Sequence, residues 1–313
     1  MNAAVVLCLV LLATFGLLSL VLSALVALLG SLAARSERGA SLDVLGLRLL
    51  PTVGALLVTL TVVLPAFLRY EPSGEREATG PLLWILAAVA AASLEHGIRR
   101  GVRACGAARA LLGRCGPGRP QEASGSQPHV HYLRAAEPLV AVIGAWRPRL
   151  VASECVRAAC SAEEFRAVLA HEAAHLAARD NLKLLLLLAA PDPLAWTPLA
   201  ASLTERWRAA AEREADERAT GADPQRRLAL ACALIKVARL HTSRRRSRPA
   251  LGMPIATEDV SGRVRALLAP PAPQARSCIL TLLAACAVVV PLLAMPRYAL
   301  LHELIEQLVG LGR

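Results

Sequence analysis

Aromatic side chains are scarce in this chain: three Phe, four Trp and three Tyr make up 3% of 313 residues. A binder of single-stranded nucleic acid needs aromatic platforms on which bases stack, so no nucleic-acid partner is expected. Charge is scarce too, at 19% against about 25% in a soluble domain. That argues against an ordinary soluble globule, and the 55% of hydrophobic residues argues against a disordered chain. Lysine is nearly missing. Lys183 and Lys236 are the only two, so arginine carries the formal net charge of +11. None of the eight cysteines falls in a CxxC pair. Cys8, Cys278 and Cys286 lie in apolar runs, where cysteine behaves as a small hydrophobe. The other five lie in a segment expected in the reducing cytosol. Neither a disulfide framework nor a cysteine zinc site is expected.

Long apolar runs are abundant. Residues 3–30 contain no charge and as a helix would reach about 42 Å, enough to cross a hydrocarbon core of about 30 Å. The run has no basic segment before it and is too long for a signal peptide. Residues 49–68, 81–94 and 278–295 are read as further spans, about four in all. Arginine placement sets the orientation. Arg99, Arg100, Arg103, Arg109, Arg114 and Arg119 follow the third span, and Arg244, Arg245, Arg246 and Arg248 precede the last. Both clusters are expected in the cytoplasm, and the acidic loop 69–80 outside. A further apolar stretch, 184–203, is interrupted by Pro191, Asp192 and Pro193. Each arm is too short to span, so a re-entrant or surface hairpin is expected.

Within 98–277, a Gly/Pro/Ser-rich linker (116–128) precedes short strand-like runs at 130–133, 139–144 and 150–153. Ser161 and Glu164 form an S-x-x-E capping box, so a helix is predicted from about 161. Phe165, Val168, Leu169 and Ala173 follow its period and mark a buried face. On that helix lies HEAAH. His171 and His175, at i and i+4, share one face, and both imidazoles can point a nitrogen at one ion about 2 Å away. Glu172 sits beside the metal rather than on it. There it can take a proton from water that the ion acidifies from a pKa of about 15.7 toward about 7. Catalytic zinc takes three protein ligands and leaves one position open. A second helix, 204–219, carries Glu212 and Asp216 on one face. Glu212 is the candidate third ligand, and Asp216 or its rival Asp180 the carboxylate that orients a ligating histidine. Glu214 and Glu217 are read as solvated surface charge.

The stretch from Val142 to Thr220 resembles the M56 family of membrane metallopeptidases of the antibiotic-sensor, repressor-cleaving type. More loosely it resembles the M48 membrane metallopeptidases. The matching segments are GAWRPRLVAS, SAEEFRAVLAHEAAHLAARDN, PDPLAW and EREAD, with TEDVSGRVRALL near the end. In the family an E-x-x-A/C-D motif supplies the third zinc ligand through its first Glu, which is Glu212 here. The resemblance implies a mainly α integral membrane protein, with transmembrane helices around a cytoplasmic gluzincin-like domain holding a small β-sheet. It divides the chain into three transmembrane helices (1–97), a basic cytoplasmic linker (98–135), a zinc metallopeptidase domain (136–277), and a last transmembrane helix with a short tail (278–313). It also implies one Zn²⁺ per chain and peptide hydrolysis on the cytoplasmic side of the cell membrane. The expected substrate is a protein, either a transcriptional repressor or a membrane protein, and the lipid bilayer is the other partner. With 18 residues after Met295, no sensor domain is expected there. His241 and Arg263 are candidates to stabilise the transition state, and strands 139–144 or 150–153 are candidates to hold substrate by strand addition. Two other readings are an M48-like quality-control protease and a non-catalytic zinc-binding signalling or scaffold protein. The second has no use for a base at Glu172.

Overall fold

A computed structural model describes residues 3–33, 40–70, 80–113, 130–133, 138–245 and 260–270. The expected last span, 278–295, and the linker 116–128 lie outside the described residues. In chain order the elements are α1 (Ala3–Ala33), α2 (Ser41–Val58), a π turn (Thr59–Val63), α3 (Leu64–Tyr70) and α4 (Pro81–Gly113). Strands β1 (Val130–Leu133), β2 (Val140–Ile143) and β3 (Arg149–Ser153) follow. Next come α5 (Glu154–Ala159), α6 (Ala162–Ala178), α7 (Asp180–Ala189), a 3-10 turn (Pro193–Trp196), α8 (Pro198–Thr220), α9 (Pro224–Arg245) and α10 (Val260–Leu268). The chain divides into two units: Met1–Gly101 with Leu186–Arg208 and Ala275–Arg313, and Val102–Leu185 with Ala209–Gln274.

The first unit holds three helical segments long and apolar enough to cross a membrane: Ala4–Leu28, Ser41–Arg69 and Pro81–Gly113. The second of these contains the π turn, which ends two residues before Pro65. Proline lacks the N–H that an α-helix would use to bond the carbonyl four residues back, and a π turn absorbs the gap. The third segment forms a helix to Gly113, well past the apolar run that ends near residue 94. Hydropathy marks where a span ends, not where helical hydrogen bonding stops, and the Ala/Arg/Leu-rich continuation is a good helix former. Val10 and Ala13 of α1, Phe67 of α3 and Leu83 of α4 share one core. Gly97 faces the Ala189 carbonyl so closely that any Cβ would collide with it.

The apolar stretch 184–203 is broken as expected: α7 stops at Ala189, and α8 starts at Pro198. Proline is tolerated at the first helical position. In the break, Asp192 is 1% exposed. Its Oδ2 accepts from Arg48 Nη1 at 2.9 Å and from Thr52 Oγ1 at 2.8 Å. Arg48 is also fully buried, and its Nε and Nη2 have no hydrogen-bond partner among the described residues.

In the second unit the sheet order is β1-β3-β2, with β1 parallel and β2 antiparallel to β3. Strand β3 reads as a near-continuous apolar run because both of its faces are covered. Leu150 and Ala152 meet Phe165 and Leu169 of α6. Val151 turns to the other face, with Ile143 and Leu133, against Ala108, Leu111 and Leu112 of α4. Strand addition at 150–153 is therefore corrected: β3 is the central strand, and neighbours already hold both of its edges. Helices α6, α9 and α10 close a second core through Val168, Leu230, Ala231 and Leu267.

Candidate metal centre

The site is built on α6. Its N-terminus carries the capping box in full: Glu164 N–H donates to Ser161 Oγ at 3.2 Å, and Ser161 N–H to Glu164 Oε2 at 2.7 Å. Lys236 of α9 adds an ammonium 2.6 Å from the same carboxylate. These contacts place the helix start, and about three to four turns on, His171 and His175 stand on one face, with ring centroids 4.7 Å apart. Their Nε2 atoms are 3.1 Å apart.

A tight turn supplies the next contact. Arg179, the C-cap of α6, takes the left-handed conformation (φ 55°, ψ 39°), which a non-glycine residue adopts at a cost. It brings Asp180 back to His175, with Oδ2 at 2.8 Å from Nδ1. Lys183 Nζ donates to the other oxygen at 2.9 Å. A histidine whose Nδ1 is held by a carboxylate offers Nε2 as the metal-binding nitrogen.

Helix α8 brings the acids. Glu212 Oε2 lies 3.4 Å from His171 Nε2, and Oε1 lies 3.5 Å from His175 Nε2. One turn on, Asp216 Oδ1 is 2.9 Å from His171 Nδ1. That nitrogen makes no aligned hydrogen bond among the described residues, so the contact is electrostatic rather than directional. Arg263 of α10 grips both carboxylates. Nη1 is 2.7 Å from Glu212 Oε2, while Nη2 and Nε donate to Asp216 Oδ1 and Oδ2 at 2.6 and 2.9 Å. Glu172 points toward β2 and accepts from Val142 N–H at 3.0 Å. Asn181 fastens the same strand, donating to the carbonyls of Val142 and Gly144 at 2.7 and 3.1 Å.

The charges are strongly coupled. Burial opposes charge on His171, but the Asp216 and Glu212 carboxylates outweigh it and hold its pKa above the ordinary value. Burial likewise opposes charge on His175, yet Asp180 and Glu212 push it up to about 10. Burial works against ionised Glu212 too, but the two imidazoles and Arg263 pull its pKa well down. Asp216 is lowered despite burial by His171 and Arg263, and Asp180 despite burial by His175 and Lys183. Glu172 moves the other way: burial raises its pKa, and the neighbouring imidazoles only partly offset this.

This donor set fits a divalent ion. One atom each from His171, His175 and Glu212 lie within 4.8 Å of one another. With ligand bonds of about 2 Å in a tetrahedron, ligand atoms stand about 3.3 Å apart, close to the observed 3.1, 3.4 and 3.5 Å. With the imidazoles neutral, as ligation requires, the carboxylates Asp180, Glu212 and Asp216 and the neighbouring Glu172 face the two cations Lys183 and Arg263. That leaves an excess of negative charge for the ion to balance.

The sequence candidates Glu172, Asp180, Asp216 and Arg263 thus gather around the three-residue group. His241 stands exposed near the end of α9 and is not one of its members. Glu205 and Glu214 pair with Arg208 and Arg218 on α8, as solvated charge does. Sequence reasoning missed Lys183, Asn181 and the Val142 amide. The rarity of lysine was a signal for Lys183. Asn181 sits beside Asp180 but carried no signal of its own, because its partners are 37 and 39 residues away.

The sequence profile described as BlaR1 peptidase M56 matches residues 82–267, more than half of the chain. No curated protein and no solved structure matches it.

Proposed function

The chain belongs to the BlaR1 peptidase M56 family, and from that premise we propose that it is a membrane-embedded zinc endopeptidase cutting a protein substrate at the cytoplasmic face. The observation that carries this reading is the convergence of His171 Nε2, His175 Nε2 and a Glu212 oxygen, with a second carboxylate, Glu172, beside them on the same helix. His171, His175 and Glu212 would hold the ion, which when bound supplies Lewis acidity toward a carbonyl and toward water. Glu172 is the general base. It takes a proton from the attacking water and returns it to the amine that leaves as the C–N bond breaks. A carboxyl whose pKa burial has raised suits a group that must both accept and release a proton. Asp180 orients the His175 imidazole, and the Asp216 carboxylate lies against His171 Nδ1 at 2.9 Å. Arg263 neutralises the two α8 carboxylates, which holds Glu212 in place. Strand β2 is an edge of the sheet and lies beside Glu172, so it is the strand to align a substrate backbone.

Glu172→Gln is the test. The variant should bind one zinc per chain, measured by atomic absorption, while peptide cleavage falls by at least about a hundredfold. Retained cleavage would remove the assignment. Because the variant holds substrate without cutting it, crosslinking in cells followed by mass spectrometry should recover a repressor or a membrane protein. Labelling Cys155, Cys160 and Cys232 with a membrane-impermeant maleimide tests the side. Protection in intact cells and labelling in inverted vesicles is the expected result.

A further inference from the structure

Arg227 lies in the first turn of α9 and is 8% exposed. Its described bonds all go to backbone carbonyls. Nε donates to Leu267 O at 2.7 Å, Nη2 to Ala266 O at 2.7 Å and Ala269 O at 2.9 Å, and Nη1 to Gly221 O at 3.5 Å. Two of these oxygens lie in the last turn of α10 and Ala269 follows it, while Gly221 directly follows α8. The last four carbonyls of a helix have no partner within it, and a cation there is favoured by the helix dipole. One guanidinium therefore joins the C-terminal ends of the two helices that carry Glu212 and Asp216 on one side and Arg263 on the other.

We propose that Arg227 is a positioning residue for the metal centre, acting through Arg263. The proposal rests on the zinc peptidase reading above. Helix α10 has nine residues, too few to be stable alone, since isolated helices below about 12 residues are marginal. Val264 and Leu267 pack against the α6–α9 core and settle which face of α10 turns inward. Apolar contacts are not directional, so they do not settle how far α10 slides along its axis. A slip of one residue is about 1.5 Å and about 100° of rotation, enough to take Arg263 off its two-oxygen grip on Asp216. Ala266 and Leu267, whose carbonyls Arg227 holds, are three and four residues after Arg263. The lock therefore sits one turn from the side chain it sets. Lysine cannot replace it, because one ammonium does not present the planar fork of donors that spans these oxygens.

The full-length chain in nanodiscs tests this, with zinc affinity read by chelator competition well below the melting temperature and cleavage read as separate kcat and KM. Arg227→Met should keep the far-UV circular dichroism of the wild type while its zinc Kd rises at least about tenfold. At saturating zinc, kcat should fall with KM within about twofold. The decisive arm is Arg263→Met. In that background Arg227→Met should add no further loss of zinc affinity, since both changes remove the same link. Arg227→Lys, which keeps the charge and loses the fork, runs the same comparison should the Met variant not fold, and an intermediate rise in zinc Kd is expected. Wild-type zinc affinity in the substituted chains overturns the proposal, and so do losses that add across the two sites. If the wild-type chain itself binds no zinc, the peptidase reading falls and takes this proposal with it. Unchanged Arg227 variants beside a zinc-binding wild type remove only the role of Arg227.

Discussion

At the level of single side chains, His171 and His175 are held ready for an ion by carboxylates on their far nitrogens. Asp180, which bonds His175 Nδ1 at 2.8 Å, should matter to affinity. Asp180→Asn is expected to raise the zinc Kd by about 10–100-fold, measured by chelator competition, and wild-type affinity would contradict the orienting role. The same network makes the metal-free protein sensitive to pH. The His175 pKa lies at about 10, against 6.5 ordinarily. Its contribution to stability is complete below about pH 6.5 and is lost as pH rises through about 10. Glu212 and Asp216, both lowered, contribute in the opposite sense: fully above their ordinary values of 4.5 and 3.8, and less as pH falls below them. Calorimetry of chelated protein should therefore show the melting temperature falling from pH 6.5 to 10. Bound zinc, which needs neutral imidazoles, should remove that fall. A flat or rising profile in the chelated protein would count against the network.

Among the elements, those set by local pattern were the most legible. The capping box placed the start of α6 from Ser161 and Glu164, three residues apart, and the strand runs at 130–133 and 150–153 match β1 and β3. Two elements outgrew their sequence signal. Helix α4 continues beyond its apolar run, and α8 begins at Pro198 rather than near 204. The left-handed turn at Arg179 was not legible at all, because nothing about arginine favours it. Arg179→Gly should be tolerated or should raise stability by up to about 1 kcal/mol, since glycine adopts this conformation freely. Arg179→Val should lower stability by about 1–2 kcal/mol and weaken zinc binding by moving Asp180. Thermal melts of the two variants check this, and equal behaviour would show that the turn carries no strain.

At the scale of the whole chain, one buried ion pair in the apolar unit joins segments far apart in sequence. Arg48 and Asp192 are 144 residues apart in sequence and 2.9 Å apart in space, with side chains 1% and 0% exposed. Removing one partner leaves the other buried and uncompensated. Arg48→Met or Asp192→Leu should each cost about 3–5 kcal/mol, whereas the double substitution should lie much closer to the wild type. A double-mutant cycle on unfolding in detergent measures this, and additive losses would mean that the two charges do not stabilise one another. The Pro-Asp-Pro break was visible in the sequence as an interruption. Its anchor was not, because an arginine in an apolar helix names no partner.

Composition and short-range spacing determined the membrane class, the broken apolar stretch, the two imidazoles on one helix face and the base between them. Each depends on residues no more than a few turns apart, where helical period dictates geometry. Tertiary structure alone decided the rest: Arg227 across two helix ends, and Asn181 and Glu172 on strand β2. It also decided that, among the described strands, β3 is central and β2 lies at an edge. These contacts join segments mostly tens of residues apart or unite several elements at one point. Their energies arise only when the chain has closed around them, so no local pattern announces them.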